Sequence, residues 1–323
     1  MSEIISPCQK KCQEFEKYKR KKQSILSQDS YIPMKIRQAV RPLLRGMLWV
    51  SRKMQGYKIE IMNQTEIPQG KPIIFAVSHI GKLDFEIVSE VIKEQYFVLA
   101  ADFMHMKGTF SGFYLWLNGV IYLDVRDRQD RKNSRDFMVK VLNQGGNIML
   151  FPEGAWNLSP NEIIYDIQLG TVDMAIETGA AIIPISVEIY DEKKKFVINF
   201  GSVLEVNGDQ DVTKDFMIQK TTELRNIMAT LKYEIWEQEG IFRREDIKSD
   251  YWSKFVLKRC AEWWGYDFKE QIINCYIPKE KLEYWDLMRD LRNMKVSEAN
   301  RFLFVKKEDF LREKWWNKTS ILP

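Results

Sequence analysis

Residues 72–84 read PIIFAVSHIGKLD, an apolar run that ends at a histidine and is followed five positions later by an aspartate. A short run of this kind predicts a strand that is buried on both faces. His79 then lies where the strand ends, and Asp84 opens a helix that we expect over residues 84–94. The stretch therefore predicts a strand, a turn and a helix, with one of the chain's two histidines at the turn.

The same alternation continues on both sides of this stretch. Further strands are predicted at residues 59–62, 96–101, 119–125, 147–151, 181–187 and 196–200. Further helices are predicted at residues 132–144, 171–178 and 213–238. Short runs rich in Ile and Val that alternate with helices predict an α/β fold, with a mainly parallel central sheet and helices on both faces. Ligands of such sheets bind at the carboxyl ends of the strands, where His79 is expected.

His79 and Asp84 have the residue types and the spacing of a general base and its orienting carboxylate. A neutral imidazole accepts a proton from a hydroxyl near neutral pH, and a carboxylate on its other nitrogen fixes the tautomer. Gly81 lets the chain bend so that the carboxylate returns to the ring. On spacing alone, a histidine that caps a helix and an aspartate on a solvated face remain the alternative.

A second motif, FPEG at residues 151–154, follows the strand predicted at 147–151. Glu153 is placed to hold substrate hydroxyls, while Gly154 permits either a close ligand approach or a left-handed backbone. The two motifs lie 74 positions apart and meet at the same edge of the predicted sheet. Together they predict a site rather than two unrelated turns.

These motifs, with two further blocks, resemble those of the glycerolipid acyltransferases typified by 1-acylglycerol-3-phosphate acyltransferase. SHIGKLD (78–84) resembles the family's His-x4-Asp block, and FPEG its third block. GVIYLDVRDR (119–128) resembles the arginine-bearing second block, and AAIIPISV (180–187) the proline-centred fourth. The resemblance covers about residues 59–205.

The resemblance implies acyl transfer from acyl-CoA or acyl carrier protein to a hydroxyl of a (lyso)phospholipid or related glycerolipid, without a metal or other cofactor. It implies that His79 is the base and Asp84 its orienter. The residues that it implies for acceptor binding are Glu153, Gly154, Arg126 and Arg128. Those that it implies for the acyl-donor side are Ile183 and Pro184.

Several positions depart from the family pattern. Ser78 replaces the usual Asn, Val125 separates the acidic residue from Arg126, and Ala155-Trp156 replace a hydroxylated residue and an arginine. The basic positions of the family are associated with the acceptor's phosphate. We therefore expect either an acceptor other than plain lysophosphatidate, or a phosphate held by Arg126, Arg128 or Lys82.

Three zones are expected: a basic arm and amphipathic helix over 1–58, the acyltransferase domain over 59–240, and an aromatic-rich helical extension over 241–323. Residues 1–30 read as a solvated helix or a frayed arm, and Pro42 predicts a kink or break in the helical stretch at 31–58. Residues 1–60 hold 14 Lys and Arg against 5 Asp and Glu. This excess, with Trp49, favours an anionic membrane surface as a partner, although a helix docked on its own domain fits equally.

The sequence shows neither a secretory signal nor a run long enough to cross a membrane, so we expect a cytoplasmic protein at the inner face of the membrane. Acids within residues 124–136 cancel much of the positive charge there, which argues against nucleic-acid binding. His105 lacks a carboxylate at a matching offset and reads as structural. Two alternatives stay open: acyl transfer to a non-lipid hydroxyl, such as a sugar or envelope precursor, and an inactive lipid-binding protein of the same fold.

Overall fold

The structure is a computed structural model that describes residues 7–26, 34–81, 83–101, 106, 108–125, 127–157, 163–191, 193–206 and 212–239. Lys82, His105, Arg126 and the extension at 241–323 lie outside the described residues. The predictions made for them therefore stay predictions, as does the division of the chain into three zones.

Seven strands form one sheet in the order β1-β7-β6-β2-β5-β3-β4. Within the described part of the chain, five of the six strand pairings are parallel, and only β6 with β7 is antiparallel. The strands are β1 Lys58–Ile61, β2 Ile73–Val77, β3 Phe97–Ala100, β4 Val120–Tyr122, β5 Ile148–Leu150, β6 Ala181–Tyr190 and β7 Lys195–Phe200. The predicted α/β class and the mainly parallel sheet are confirmed, and each expected strand is present.

Helices cover both faces of this sheet. They are α1 Pro7–Leu26, α2 Met34–Met54, α3 Asp84–Val91, α4 Phe110–Asn118, α5 Arg128–Asn143, α6 Gly170–Thr178 and α7 Lys214–Glu239. Because side chains alternate along β2, Phe75 packs with α3 on one face, while Ile74 packs with α5, α6 and α7 on the other. All five residues of β2 are buried, so the strand that carries His79 is held from both sides.

Helix α4 was not predicted from the sequence. Its exposed face is as apolar as its buried face, so the usual amphipathic pattern is absent. The Thr109 side chain caps the helix by accepting a hydrogen bond from Gly112 N at 3.0 Å. Gly112 is required here, because a Cβ at this position would lie 1.9 Å from the carbonyl oxygen of Met106.

Two expectations for the N-terminal zone are wrong, namely a fully solvated or frayed first helix and a break at Pro42, whereas a kink at Pro42 stays a prediction. Helix α1 is not a solvated arm, since Phe15 and Lys22 are buried where it packs on α5 and β4. Helix α2 runs unbroken through Pro42, which lies on its exposed side, where water can satisfy the carbonyl that proline leaves unpaired.

The arginines of α2 point into the protein rather than toward an external anion. Arg41 is 2% exposed and donates to the main-chain oxygens of Ser89, Ile92 and Glu94, around the C-terminal end of α3. Arg52 pairs with the carboxylate of Glu90 at 2.7 Å. These contacts fix α2 on its own domain, which was one of the two open interpretations.

Candidate active site

His79 and Asp84 meet at the carboxyl end of β2. The His79 Nδ1 atom lies 2.7 Å from Asp84 Oδ2. The Asp84 side chain is 1% exposed and that of His79 is 19% exposed, so the ring reaches the surface while the carboxylate does not. The contact expected from the spacing is present, and the alternative of an aspartate on a solvated face is excluded.

The turn between β2 and α3 holds the Asp84 carboxylate with backbone donors. Oδ2 also accepts from Ile80 N at 2.8 Å and from Gly81 N at 3.1 Å, while Oδ1 accepts from Phe85 N at 2.6 Å. An ionised carboxylate offers only acceptors, so it matches these backbone N–H groups and a protonated Nδ1. The other ring nitrogen, Nε2, then carries the lone pair that a general base needs.

Two aromatic side chains hold the His79 ring. Phe151 stacks on the ring with centroids 4.1 Å apart and planes inclined by 22°. Trp156 meets it edge to face at 6.0 Å and 80°. No described residue forms a hydrogen bond with Nε2, so the ring is fixed in orientation while its basic atom stays available.

Glu153 holds the backbone of His79 in place and does not face the position of an acceptor. Its Oε1 accepts from His79 N at 2.9 Å and its Oε2 accepts from Tyr165 N at 3.0 Å. The side chain is 1% exposed, and burial raises the pKa of the carboxyl against the opposing effect of these two donors. The expectation that Glu153 holds substrate hydroxyls therefore does not fit its position, because both oxygens are buried on backbone donors.

Gly154 forms the turn of the FPEG motif. Its φ of +69° lies in the left-handed region that favours glycine, and its N–H donates to Phe151 O at 3.0 Å. A Cβ here would meet nothing within 4 Å, so the glycine serves the backbone conformation rather than a close approach within the chain. Three residues on, Asn157 N donates to His79 O at 2.6 Å and joins the two motifs.

Comparison with known proteins agrees with this geometry. Residues 58–188 match the family model described as Acyltransferase, which spans β1 to β6 and includes both motifs. Over these residues the chain is an O-acyltransferase domain similar to those of the glycerolipid acyltransferases.

Two relatives illustrate the similarity. The chain is 26% identical over 195 residues to the 1-acyl-sn-glycerol-3-phosphate acyltransferase of Borreliella burgdorferi, covering 60% of this chain and 76% of that protein. The crystal structure of the 1-acyl-sn-glycerophosphate acyltransferase PlsC from Thermotoga maritima superposes with a TM-score of 0.49 at 14% identity. That superposition covers 67% of this chain and 86% of the other.

Of the basic residues expected for the acyltransferase site, the structure describes only one. Arg128 is exposed at the first position of α5, on the same edge of the sheet as His79, and no described residue pairs with it. Arg126 and Lys82 lie outside the described residues. The phosphate-binding roles expected for these three side chains stay predictions.

Ile183 and Pro184 do not face an acyl donor directly. Both are buried within β6, where Ile183 packs in the core beside α3. Pro184 lies opposite Gly201, just beyond the regular β6–β7 ladder, so its missing N–H falls where the pairing becomes irregular. The acyl-donor role expected for these two residues stays a prediction, and neither side chain is exposed.

Sequence reasoning missed the partners that hold the acyltransferase motifs in place. Phe151 and Trp156 contact His79, and the Ser78 hydroxyl accepts a hydrogen bond from Val187 N at 2.9 Å. These contacts depend on β2 lying between β5 and β6, which neither motif encodes. The one available signal was that Phe151 immediately precedes Pro152 and Glu153 at the end of a strand.

None of the described helices is both long and apolar enough to cross a bilayer.

Proposed function

We propose that this acyltransferase moves a fatty acyl group from acyl-CoA or acyl carrier protein to a hydroxyl of a lysophospholipid or related glycerolipid. The observation that carries the proposal is the 2.7 Å contact between His79 Nδ1 and the buried Asp84 carboxylate. It directs the basic Nε2 away from Asp84, on a ring that reaches the surface. The name of the Borreliella burgdorferi relative supports a phosphorylated monoacylglycerol as acceptor.

The reaction follows from this geometry. Nε2 of His79 takes the proton of the acceptor hydroxyl as the oxygen attacks the thioester carbonyl carbon. The tetrahedral intermediate collapses, the carbon–sulfur bond breaks, and the imidazolium returns its proton to the departing thiolate. Asp84 stabilises the imidazolium in between, and the stacked Phe151 keeps the ring in line.

We also propose that the protein works at a membrane surface, through a lipid-facing surface formed by α2 and α4. It consists of exposed apolar side chains on both helices: Ile36, Leu43, Val50, Met54, Phe110, Phe113 and Trp116. Val40 of α2 and Leu117 of α4 pack in the seam between the two helices, which supports treating the stripes as one surface. An exposed apolar area with aromatic side chains fits the interface of a bilayer, at the inner face of the membrane where we expect the protein.

The lipid-facing surface lies next to α3, the helix that begins at Asp84. Tyr114 of α4 contacts the Phe85 ring at 5.7 Å, and Ser111 lies 3.4 Å from the Glu86 carboxylate. Both partners belong to the first turn of α3, which begins at Asp84. A lipid acceptor bound at this surface would therefore lie beside the turn that carries the base and its orienter.

The acyl transfer is tested by incubating the purified protein with labelled acyl-CoA and a total lipid extract, and then identifying the lipid that gains label. We expect lysophosphatidate or a related lysolipid to be acylated, and His79→Ala to lower the rate by about 10²–10⁴-fold. Circular dichroism of the variant controls for folding. Full activity in His79→Ala, or label on a sugar and not on a lipid, would reject the proposal.

The membrane surface is tested by sedimentation with vesicles. Phe113→Ser with Trp116→Ser should lower vesicle affinity about tenfold or more, since each buried aromatic contributes about 1 kcal/mol or more. Ile218→Ser with Tyr233→Ser is the matched control, because these side chains are also exposed but lie on α7. Equal losses in both double variants would contradict the assignment of the surface to α2 and α4.

A further inference from the structure

Helix α1 binds the segment that links β4 to α5. This loop comprises residues 123–127, of which 123–125 and 127 are described, and it leaves β4 at its carboxyl end, on the same edge of the sheet as His79. It leads directly into Arg128, whose guanidinium has no partner among the described residues. How the loop is held therefore decides where Arg128 lies relative to the base.

Lys19 of α1 binds the loop at both of its ends. Its Nζ lies 3.2 Å from Asp124 Oδ2 and 3.1 Å from Asp127 Oδ2. The Lys19 side chain is 12% exposed, so one ammonium group bridges two carboxylates in a partly desolvated position. The ammonium group also holds the pKa of the Asp127 carboxyl below its usual range.

The two aspartates that Lys19 binds also shape the loop itself, Asp127 through its side chain and Asp124 through its backbone N–H. Asp127 caps α5, since its Oδ1 accepts from Gln129 N at 2.9 Å and from Asp130 N at 3.2 Å. The Asp124 N–H donates to Asp130 Oδ2 at 2.8 Å. Arg128 follows Asp127 directly, so the cap and the free arginine are positioned as one unit.

The rest of α1 is anchored firmly enough to make Lys19 a fixed point. Lys22 is 1% exposed, and its Nζ lies 2.7 Å from Asp130 Oδ1, whose side chain is equally buried. The same ammonium donates to Tyr122 O at 2.9 Å and to Ser134 Oγ at 2.8 Å. A buried charge with this many partners holds its helix in one place, because any shift would leave charges unpaired.

We propose that Lys19 is a positioning residue for an anionic acceptor, acting through the loop at 123–127 and through Arg128. Its ammonium group binds Asp124 and Asp127, the two aspartates of the loop that precedes Arg128. Without Lys19, the negative charge of these carboxylates is no longer offset by the ammonium group and repels a phosphate group more strongly. This inference rests on the proposed function, because it assumes that the acceptor of the acyltransferase carries a phosphate.

The test compares full-length Lys19→Ala with Lys21→Ala, which removes the same charge from an exposed position on the same helix. Initial rates are measured with lysophosphatidate and with monoacylglycerol, which lacks the phosphate. We expect Lys19→Ala to raise KM for lysophosphatidate about three- to tenfold, with kcat and the KM for monoacylglycerol unchanged. Lys21→Ala should leave all of these values unchanged. A purely structural loss would instead lower kcat for both acceptors, and that result would overturn the proposal, as would an unchanged KM for lysophosphatidate.

Hydrogen exchange separates this inference from the proposed function. Lys19→Ala should speed amide exchange over residues 123–131 and leave β2 protected, whereas Lys21→Ala should match the wild-type protein. If the wild-type protein transfers no acyl group at all, the proposed function fails, and the role of Lys19 is still decided by exchange. Unchanged protection of residues 123–131 would then reject it, and faster exchange would support it.

Discussion

Asp84 combines the orienting role that we propose for it with a structural role in one carboxylate. Its two oxygens accept three backbone N–H groups in addition to the His79 ring. An asparagine has one acceptor oxygen and one amide group that only donates. In one of its two orientations the amide group would face several donors, and in the other orientation it would face one donor. The carboxylate is therefore needed both to fix the turn and to select the histidine tautomer.

We expect Asp84→Asn to lower kcat by about 10²–10⁴-fold, because the ring loses the partner that stabilises the imidazolium. It should also lower the free energy of unfolding by about 1–3 kcal/mol, since a buried donor is left unsatisfied. Steady-state kinetics and urea unfolding measure the two effects separately. A variant with normal kcat would show that Asp84 serves only the turn.

Glu153 has a comparable structural role, because it accepts hydrogen bonds from the backbone N–H groups of His79 and Tyr165. We expect Glu153→Gln to lower the free energy of unfolding by about 1–3 kcal/mol, because its amide group faces one of the two backbone donors. Burial raises the folded-state pKa of Glu153 above its unfolded value. The stability contributed by the neutral carboxyl is thus fully present below the unfolded pKa and is lost as pH rises through the folded pKa.

The stability difference between wild type and Glu153→Gln should therefore be largest under acidic conditions and should shrink as pH rises. Urea unfolding of both proteins across a pH series measures it, and contributions from other groups cancel in the difference. A stability difference that widens with rising pH would mean that the backbone donors outweigh burial, and that the carboxyl of the folded protein stays ionised across the pH series.

At the scale of single residues, the sequence predicted the pairing of His79 with Asp84 because both lie within one strand–turn–helix unit. The role of Glu153 was not predictable in the same way. Its partners, His79 N and Tyr165 N, come from two other segments, and only strand order brings them together. Spacing along the chain therefore located the motif but not the direction in which its carboxylate points.

At the scale of elements, α2 shows how a hydrophobic pattern can be right while it leaves open which face is buried. Its arginines lie at the helical spacing expected, yet they face the domain and bind main-chain oxygens near the ends of other helices. Part of its apolar stripe faces outward instead. Periodicity gives the existence of two faces, whereas which face is buried depends on what acceptors the domain offers.

Arg41 is the residue that tests this arrangement. In addition to three main-chain oxygens, its guanidinium donates to Tyr114 OH at 2.9 Å and to Asn118 Oδ1 at 3.0 Å. We expect Arg41→Met to lower the free energy of unfolding by at least about 3 kcal/mol, because several buried acceptors lose their donor together. Chemical unfolding measures this loss.

Gln38→Met serves as the control for Arg41→Met, since it introduces the same side chain at an exposed position of α2. Its effect should stay within about 0.5 kcal/mol. Equal effects of the two substitutions would show that Arg41 does not hold α2 on the domain.

At the scale of the whole molecule, part of the basic N-terminal zone is used inside the protein. Of the 14 Lys and Arg in residues 1–60, six are seen among the described side chains to bind groups of the domain itself: Lys19, Lys22, Arg37, Arg41, Arg45 and Arg52. Counting charges along the chain predicted an external anionic partner, because a count cannot show which charges are already neutralised. The proposed membrane contact consequently depends on apolar area more than on net charge.

The sequence predicted the α/β class, since nearly every strand produced its own apolar run and β1 an alternating one. Strand order could not be read in the same way. The placement of β2 between β5 and β6 arises from long connections that pack helices on opposite faces. That order brings FPEG to His79, so the site depends on tertiary packing even though each motif is local.

Strand β4 ends the sheet, and its outer backbone groups are covered by side chains rather than by another strand. The Tyr18 hydroxyl donates to Val120 O at 3.2 Å and accepts from Tyr122 N at 3.3 Å, and Lys22 binds Tyr122 O. An uncovered strand of this kind recruits the same strand of another molecule. Tyr18→Phe with Lys22→Met should therefore give a protein whose sedimentation coefficient increases with concentration, while Lys21→Met should sediment as the wild type does. A phenol and an ammonium group from the first helix would in that case decide whether the enzyme stays dispersed or polymerises.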